Sequence, residues 1–384
     1  MYKRQQEETV KRLALKFQVV GIMGPRQSGK TTLARLCFPQ LPYVSFENYD
    51  VQMRAIQDPR AFLAQYQSGA IFDEVQHAPG ILSYLQQVVD EDDRPGRFVV
   101  TGSQNFVLSD QISQSLAGRM GLVTLLPLSL MELGGLMSWQ EAILKGGYPR
   151  LHKYTIAPAD YYAAYIHTYI EQDVRQLQNI GDLSAFRHFM QLCAGRSWQI
   201  LNLTSLAVDA SISHTTARRW LSLLEASYVL FLVQPYHHNF NKRLVKQPKL
   251  YFYDTGLACA LLGIDTTEQL TTHYHHGAFF ENFIFTEVLK HRFNQGKQAA
   301  LYFWRDRVTG VEVDLIAEWG SVLYAIEIKS GQTFNADWLK GVLVLQALQH
   351  HAKNFLVYNG PMEGTCKGCE LIPFAKLDRL FALM

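Results

Sequence analysis

The stretch Phe17-Gln-Val-Val-Gly-Ile-Met-Gly24-Pro-Arg-Gln-Ser-Gly-Lys-Thr31-Thr-Leu-Ala-Arg-Leu-Cys37 decides the fold. Phe17 to Met23 is a short apolar run of strand length, and Thr32 to Cys37 has helical character. Between them glycines stand at 24 and 29 and a Lys-Thr pair at 30 and 31, so the order is strand, glycine-rich loop, helix. Glycines permit backbone angles that turn successive N–H groups inward, and at a helix N-terminus those groups make a nest for phosphate oxygens. Lys30 then supplies a point charge to the β and γ phosphates, and the Thr31 hydroxyl is placed to ligate a Mg²⁺ bridging the same oxygens. The expectation is a site for ATP and Mg²⁺ made by Gly24, Pro25, Arg26, Gln27, Ser28, Gly29, Lys30, Thr31 and Thr32.

Such a site also needs an acidic residue at the end of a neighbouring buried strand to hold the hydrated metal. Ala70-Ile-Phe-Asp73-Glu74 supplies it, with Asp73 as the carboxylate of the metal sphere. Glu74 points to the opposite face if the strand continues, or elsewhere if it ends there. It is the candidate base that polarises the attacking water; the plainer alternative is a solvated strand end. A third strand, Arg97 to Thr101, runs into Gly102-Ser103-Gln104, at the edge where open α/β sheets hold ligands. Ser103 or Gln104 is placed to sense a γ-phosphate, although Thr-Gly-Ser is also ordinary turn chemistry.

Working outward, 384 residues exceed what one core usually serves, which predicts two or three domains. With 48% hydrophobic and 18% charged residues the chain is of ordinary globular composition rather than disordered. A net charge of +2 is too mild to announce a nucleic-acid partner, so that claim must rest on local clusters. The charged N-terminus lacks the apolar run of a signal peptide, and no stretch reaches the roughly 18 apolar residues of a membrane span. A cytoplasmic protein with no membrane partner is expected. Five cysteines give no disulfide framework. Cys366 and Cys369 form one Cys-x-x-Cys with no second pair nearby for zinc, and read as thiols on a turn from Gly364 to Gly368.

Five further segments carry a family resemblance: Phe72-Asp-Glu-Val-Gln, Thr101-Gly-Ser, Ser115-Leu-Ala-Gly-Arg119, Gly146-Gly-Tyr-Pro149 and Lys246-Gln-Pro-Lys-Leu-Tyr-Phe-Tyr-Asp-Thr-Gly-Leu257. Together with the glycine-rich loop they resemble prokaryotic AAA-type P-loop ATPases whose C-terminal half is a domain of unknown function. The resemblance spans nearly the whole chain. It implies an AAA-like sheet with a small helical lid, and places Arg119 near the nucleotide, in this chain or a neighbouring subunit. There Arg119 would be an arginine finger; a salt-bridged surface arginine is the competing reading. Pro127 and the glycines from 134 to 147 end the ATPase layer near residue 128.

In the middle of the chain, Asp160 to Leu177 is dense in apolar and aromatic residues at a spacing that suits a packed amphipathic helix. Arg175, beside Asp173, would serve either the nucleotide or a domain contact. From Leu203 to Val233 the pattern is helix, tight turn, helix, strand, with Leu206, Ala207, Ile212, Ala217, Trp220, Leu221 and Leu224 as a shared core. That order predicts a helix-turn-helix with a winged extension, and Ser213 is a natural N-cap for its second helix. His214, Thr215, Arg218 and Arg219 would lie on the exposed side of that helix. Lys242, Arg243, Lys246 and Lys249 follow where a wing would track DNA phosphates. Winged helices also serve as packing modules, so a basic loop at a domain contact is the alternative.

In the C-terminal part, Gly277 to Leu289 reads as a helix with an aromatic face. Ala300 to Trp304, Val311 to Ala317 and Val322 to Ile328 read as strands, then Asp337 to Leu348 as a helix and Asn354 to Tyr358 as a strand. Glu281, Asp314 and Glu327-Ile-Lys329 sit within this order in a way that resembles the restriction-endonuclease-like core. That resemblance implies Glu281, Asp314 and Glu327 as Mg²⁺ ligands and Lys329 as the lysine that orients water. Glu312 shares a strand face with Asp314 and blurs which carboxylate would bind.

The sequence therefore predicts an α/β multidomain chain. The AAA-type P-loop core covers residues 1–128, a helical lid 129–182, a winged helix-turn-helix 183–255 and a nuclease-like α/β domain 270–384. The preferred function is ATP binding and hydrolysis by a protein acting on DNA, with self-association left open. The alternatives are a Mg²⁺-dependent DNA nuclease regulated by ATP, and a nucleotide-switched protein-interaction module with an inert nuclease fold.

Overall fold

The computed structural model describes residues 2–103, 115–134, 137–170, 182–236, 247–306, 309–320, 322–349 and 351–384. Gln104, Asp173, Arg175, Lys242, Arg243 and Lys246, named above, lie outside them.

Five short strands open the chain: β1 (Val19–Met23), β2 (Tyr43–Ser45), β3 (Ala70–Asp73), β4 (Phe98–Gly102) and β5 (Met120–Thr124). They form one parallel sheet in the order β2-β3-β4-β1-β5. Parallel sheets are covered on both faces, and β1, β3 and β4 are buried at every position. Side chains alternate between the two sides. Phe72 and Phe98 stack in a core with Phe46 and Phe62. Val20, Ile22, Ile71 and Val99 pack on the other side against Leu33 and Ala34 of α2 (Lys30–Cys37) and Val10 of α1 (Glu7–Ala14). Because the strands run parallel, the C-terminal ends of β1, β3 and β4 share one edge, which brings the glycine-rich loop beside Asp73 and Ser103.

The helices Trp139–Lys145, Pro149–Lys153 and Pro158–Tyr165 follow the sheet. Tyr148, Tyr161, Tyr162 and Tyr165 make one aromatic cluster among them. Farther on, Leu203–Asp209 and His214–Ala226 are two helices joined by a tight turn, in which Ser211 takes a positive φ of 55°. Ser213 caps the second by accepting from the Thr216 amide at 3.0 Å. Leu206, Ala207, Ala217, Trp220, Leu221 and Leu224 are buried and Ile212 is half-buried. An antiparallel hairpin of β6 (Leu230–Val233) and β7 (Lys249–Phe252) completes this unit.

The helix His276–Asn294 is buried nearly all round, as a core strut rather than a surface helix. Beyond it lies a mixed sheet ordered β12-β13-β11-β10-β9-β8. Its strands are β8 (Leu301–Arg305), β9 (Glu312–Trp319), β10 (Val322–Lys329), β11 (Ala352–Tyr358), β12 (Gly364–Cys366) and β13 (Cys369–Pro373). β8, β9 and β10 are antiparallel, and the helix Lys340–Leu348 separates β10 from its parallel partner β11. Cys366 and Cys369 face each other across the β12–β13 turn as free thiols.

Polar contacts tie the long helix to the segment that follows β5. Lys290 Nζ donates to the Leu128 carbonyl at 2.9 Å, and the Leu130 amide donates to Glu287 at 2.7 Å. Asp254 accepts from the Gly147 amide at 2.8 Å and the Tyr162 hydroxyl at 2.6 Å. The Gly-Gly pair is sterically required. A Cβ at Gly146 would stand 2.3 Å from Asp254 Oδ1, and one at Gly147 would stand 2.4 Å from the Leu128 carbonyl oxygen.

Candidate nucleotide site

Gly24 leaves β1 with φ 148°, and a Cβ there would come 2.2 Å from the Leu125 carbonyl oxygen, so only glycine fits. Gln27 and Gly29 also take positive φ, 62° and 97°, which curls the loop before α2 begins at Lys30. Lys30 Nζ donates to the carbonyls of Gly24 and Pro25 at 3.1 and 3.0 Å and lies 3.7 Å from Glu74. Burial depresses its pKa, against the opposing pull of Glu74 and Asp73. Ser28 Oγ is buried without a hydrogen-bond partner among the described residues, as suits a hydroxyl that serves a bound oxyanion.

At the end of β3 the Thr31 hydroxyl donates to Asp73 at 2.9 Å, and Tyr43 donates to the same carboxylate at 2.8 Å. Thr101 of β4 donates to it as well. A hydroxyl and a carboxylate meeting beside the phosphate loop are hard oxygen donors, and they fit Mg²⁺.

β3 ends at Asp73, and Glu74 takes a left-handed backbone with φ 56° and ψ 52°. For a non-glycine residue this costs on the order of 1 kcal/mol and is held by its surroundings. Thr101 Oγ1 accepts the Glu74 amide at 3.1 Å; Ser103 donates to the Glu74 carboxylate at 3.0 Å, and Gln76 donates to it too. Burial pushes this carboxyl upward, but Lys30, Gln76, Arg26 and Ser103 outweigh it and leave it below the usual range. Glu74 is thus an ionised carboxylate aimed beside Lys30.

A cavity of about 820 Å³ opens over the loop. Gln27 to Thr32 and Glu74 line one wall; Arg150, His152, Lys153 and Tyr154 line the other, with Tyr2 and Arg4 between them. Tyr2 donates to the His152 carbonyl at 2.7 Å. Buried Arg4 donates to the carbonyls of Ser28, at 3.0 Å, and Leu126, and pairs with Glu132 at 3.2 Å. Sequence reading missed Tyr2, Arg4, Tyr43, Thr101 and the Arg150–Tyr154 wall; Pro149, in the Gly-Gly-Tyr-Pro segment, was the nearest signal. Arg26 lies 3.9 Å from Glu47, and Thr32 lines the cavity.

Arg119 does not join this group. It precedes β5, whose Met120 pairs with Val19 at the start of β1, so it sits at the opposite sheet edge from the loop. There it pairs with Asp90 of the helix Ile81–Glu91 at 3.0 Å. The placement of Arg119 near the nucleotide is therefore corrected within one chain, because sheet polarity separates it from the loop.

Thr215, Arg218 and Arg219 are exposed together on the helix His214–Ala226. Lys249 is not a wing cation: its side chain is 4% exposed and lies between Glu281, at 3.2 Å, and Glu312. Glu281, Asp314, Glu327 and Lys329 do come close together. The metal reading of the three carboxylates is corrected, however: no group of three or more His, Cys, Asp or Glu among the described residues is arranged to hold a metal ion. Lys249 pairs with Glu281, and Lys329 with Asp314 and Glu327. No helix of the described residues is long and apolar enough to cross a membrane.

Residues 16–134 match an AAA domain; residues 137–268 and 276–377 match two domains of unknown function (DUF8612 and DUF4143). The chain is 32% identical over 321 residues to the uncharacterized proteins Rv2008c of Mycobacterium tuberculosis and Mb2031c of Mycobacterium bovis. Those alignments cover 82% of this chain and 71% of each relative. Among solved structures, the Walker-type ATPase PABY2304 of Pyrococcus abyssi is 15% identical, covers 68% of this chain and 96% of its own, and superposes with a TM-score of 0.45. AMPPCP-bound DnaA of Aquifex aeolicus is 13% identical, covers 57% and 85%, and has a TM-score of 0.30. Superpositions this loose bear on neither fold detail nor function.

Proposed function

The chain belongs to the same family as the two mycobacterial proteins and carries an AAA domain, and on that premise we propose that it hydrolyses ATP and passes its nucleotide state to the C-terminal half. The observation that carries this reading is the convergence of Lys30, Thr31, Asp73 and Glu74 at one edge of a parallel sheet. The loop amides and Lys30 bind the phosphates. Thr31 and Asp73 would hold Mg²⁺, which when bound would neutralise charge on the phosphate oxygens. Glu74, positioned by Ser103 and Gln76, accepts a proton from the attacking water.

The route outward is the segment after β5. Leu128 lines the cavity while its carbonyl accepts from Lys290, and Arg4 bonds both the loop and Leu126. A change at the phosphate loop is thereby felt by the helix His276–Asn294.

DNA is the proposed partner, on the strength of the exposed row Thr215, Arg218 and Arg219. ATP turnover measured with and without duplex DNA, on one preparation, tests both halves. Stimulation that falls steeply with salt and is lost in Arg218→Ala/Arg219→Ala supports the reading; turnover indifferent to DNA removes the partner and leaves the ATPase.

A further inference from the structure

The nuclease-like order of Glu281, Asp314, Glu327 and Lys329 implies a divalent cation, but the donor set does not fit one. Lys249 enters from β7 with its side chain 4% exposed; its ammonium lies 3.2 Å from Glu281 and contacts Glu312. Tyr251, two residues on, donates to the same Glu281 oxygen. Arg305 takes the other Glu312 oxygen at 3.2 Å. Asp314 Oδ2 accepts from the Ile328 amide at 2.8 Å and from Lys329 at 3.1 Å, and Lys329 also pairs with Glu327. Glu327 Oε2 is buried without a hydrogen-bond partner among the described residues, yet it faces the helix Lys340–Leu348, where a Cβ at Gly341 would stand 3.3 Å from it. Hard divalent cations take about six oxygen ligands, and among the described residues no group of three or more His, Cys, Asp or Glu is placed to hold one.

We propose that this cluster is a metal-free ion-pair lock, in which the Lys249 ammonium holds the place between Glu281 and Glu312 that a divalent cation would need. Two charges leave water favourably only when well paired, and here buried Lys249 meets Glu281 and Glu312 while half-buried Lys329 meets Asp314 and Glu327. Burial would strip the Lys249 proton, but Glu281, Glu312 and Asp314 outweigh it and keep the ammonium charged. The lock joins three pieces of chain: hairpin strand β7, the long helix through Glu281, and the C-terminal sheet through Glu312 and Asp314. Backbone bonds follow the same seam, since the Tyr236 amide donates to the Phe303 carbonyl at 2.7 Å and the Phe303 amide to Gln234 at 3.3 Å. The hairpin and the sheet are therefore joined by both side-chain and backbone contacts. This assignment stands apart from the ATPase reading and uses none of its residues.

The test is a Mn²⁺ titration of the nucleotide-free full chain, followed by electron paramagnetic resonance, on wild type and Asp314→Asn. Equal Mn²⁺ retention by the two proteins through the millimolar range is expected; a bound equivalent in wild type that Asp314→Asn abolishes would overturn the proposal. In parallel, Lys249→Met is expected to lower the Tm by about 10 °C, because it strands buried carboxylates. An unchanged Tm overturns the lock. If that variant does not fold, the wild-type titration still decides.

Discussion

The Thr31 hydroxyl and the Asp73 carboxylate meet at 2.9 Å although 42 residues separate them in sequence. Strand order creates this contact: α2 starts at the end of β1, and β3 ends at the same sheet edge. If the pair serves Mg²⁺, Asp73→Asn should lower ATP turnover about 10²-fold or more while the protein remains folded. Steady-state phosphate release checks this, and turnover within a few-fold of wild type would remove Asp73 from the site.

Glu74 has a separate task. Its carboxylate is held by Ser103 and Gln76 and is not one of the groups on the phosphate loop. Glu74→Gln should leave nucleotide affinity unchanged and slow hydrolysis by about 10²–10⁴-fold. Fluorescent-nucleotide binding and single-turnover hydrolysis separate the two effects; a matching loss of affinity would reassign Glu74 to binding.

The packing of the long helix against Phe381 should respond to acid. His291 stacks on Phe381 at 4.6 Å and accepts from the Gln295 side chain at 2.9 Å. Burial, with Lys297 and Arg292 nearby, lowers its pKa to about 4, against about 6.5 for an unfolded histidine. The unfolded chain then binds the extra proton first, so this contribution is present above about pH 6.5 and is lost as pH falls toward 4. Urea unfolding at about pH 7 and about pH 5 should show a larger loss for wild type than for His291→Phe. Equal losses would mean that His291 does not carry the effect.

Much of the nucleotide site was legible because its signal is contiguous. Gly24 to Thr31 encodes loop, nest and first helical turn in one run, and Asp73-Glu74 closes an unmistakably buried strand. Even the left-handed turn at Glu74 was within reach, since one open reading was that the strand stops there. Arg4 and Tyr43 were not legible: each reaches the site from a different strand end or terminus, and nothing in its immediate neighbours differs from an ordinary position; Thr101 stood in a recognised segment, but its bond to Asp73 depends on strand order. Lys249 misled for a sharper reason. In sequence it ends a basic run and looks solvated, whereas the fold buries it against carboxylates 32 or more residues away. Arg119 shows the limit of motif position, because which edge of a sheet a residue occupies depends on strand direction.

Isothermal titration of well-folded protein with Mg-ATP tests the central claim most directly. The account predicts saturable binding at one site per chain, abolished in Lys30→Ala. No heat or saturation through millimolar nucleotide in wild type, or an unchanged isotherm in Lys30→Ala, would contradict it.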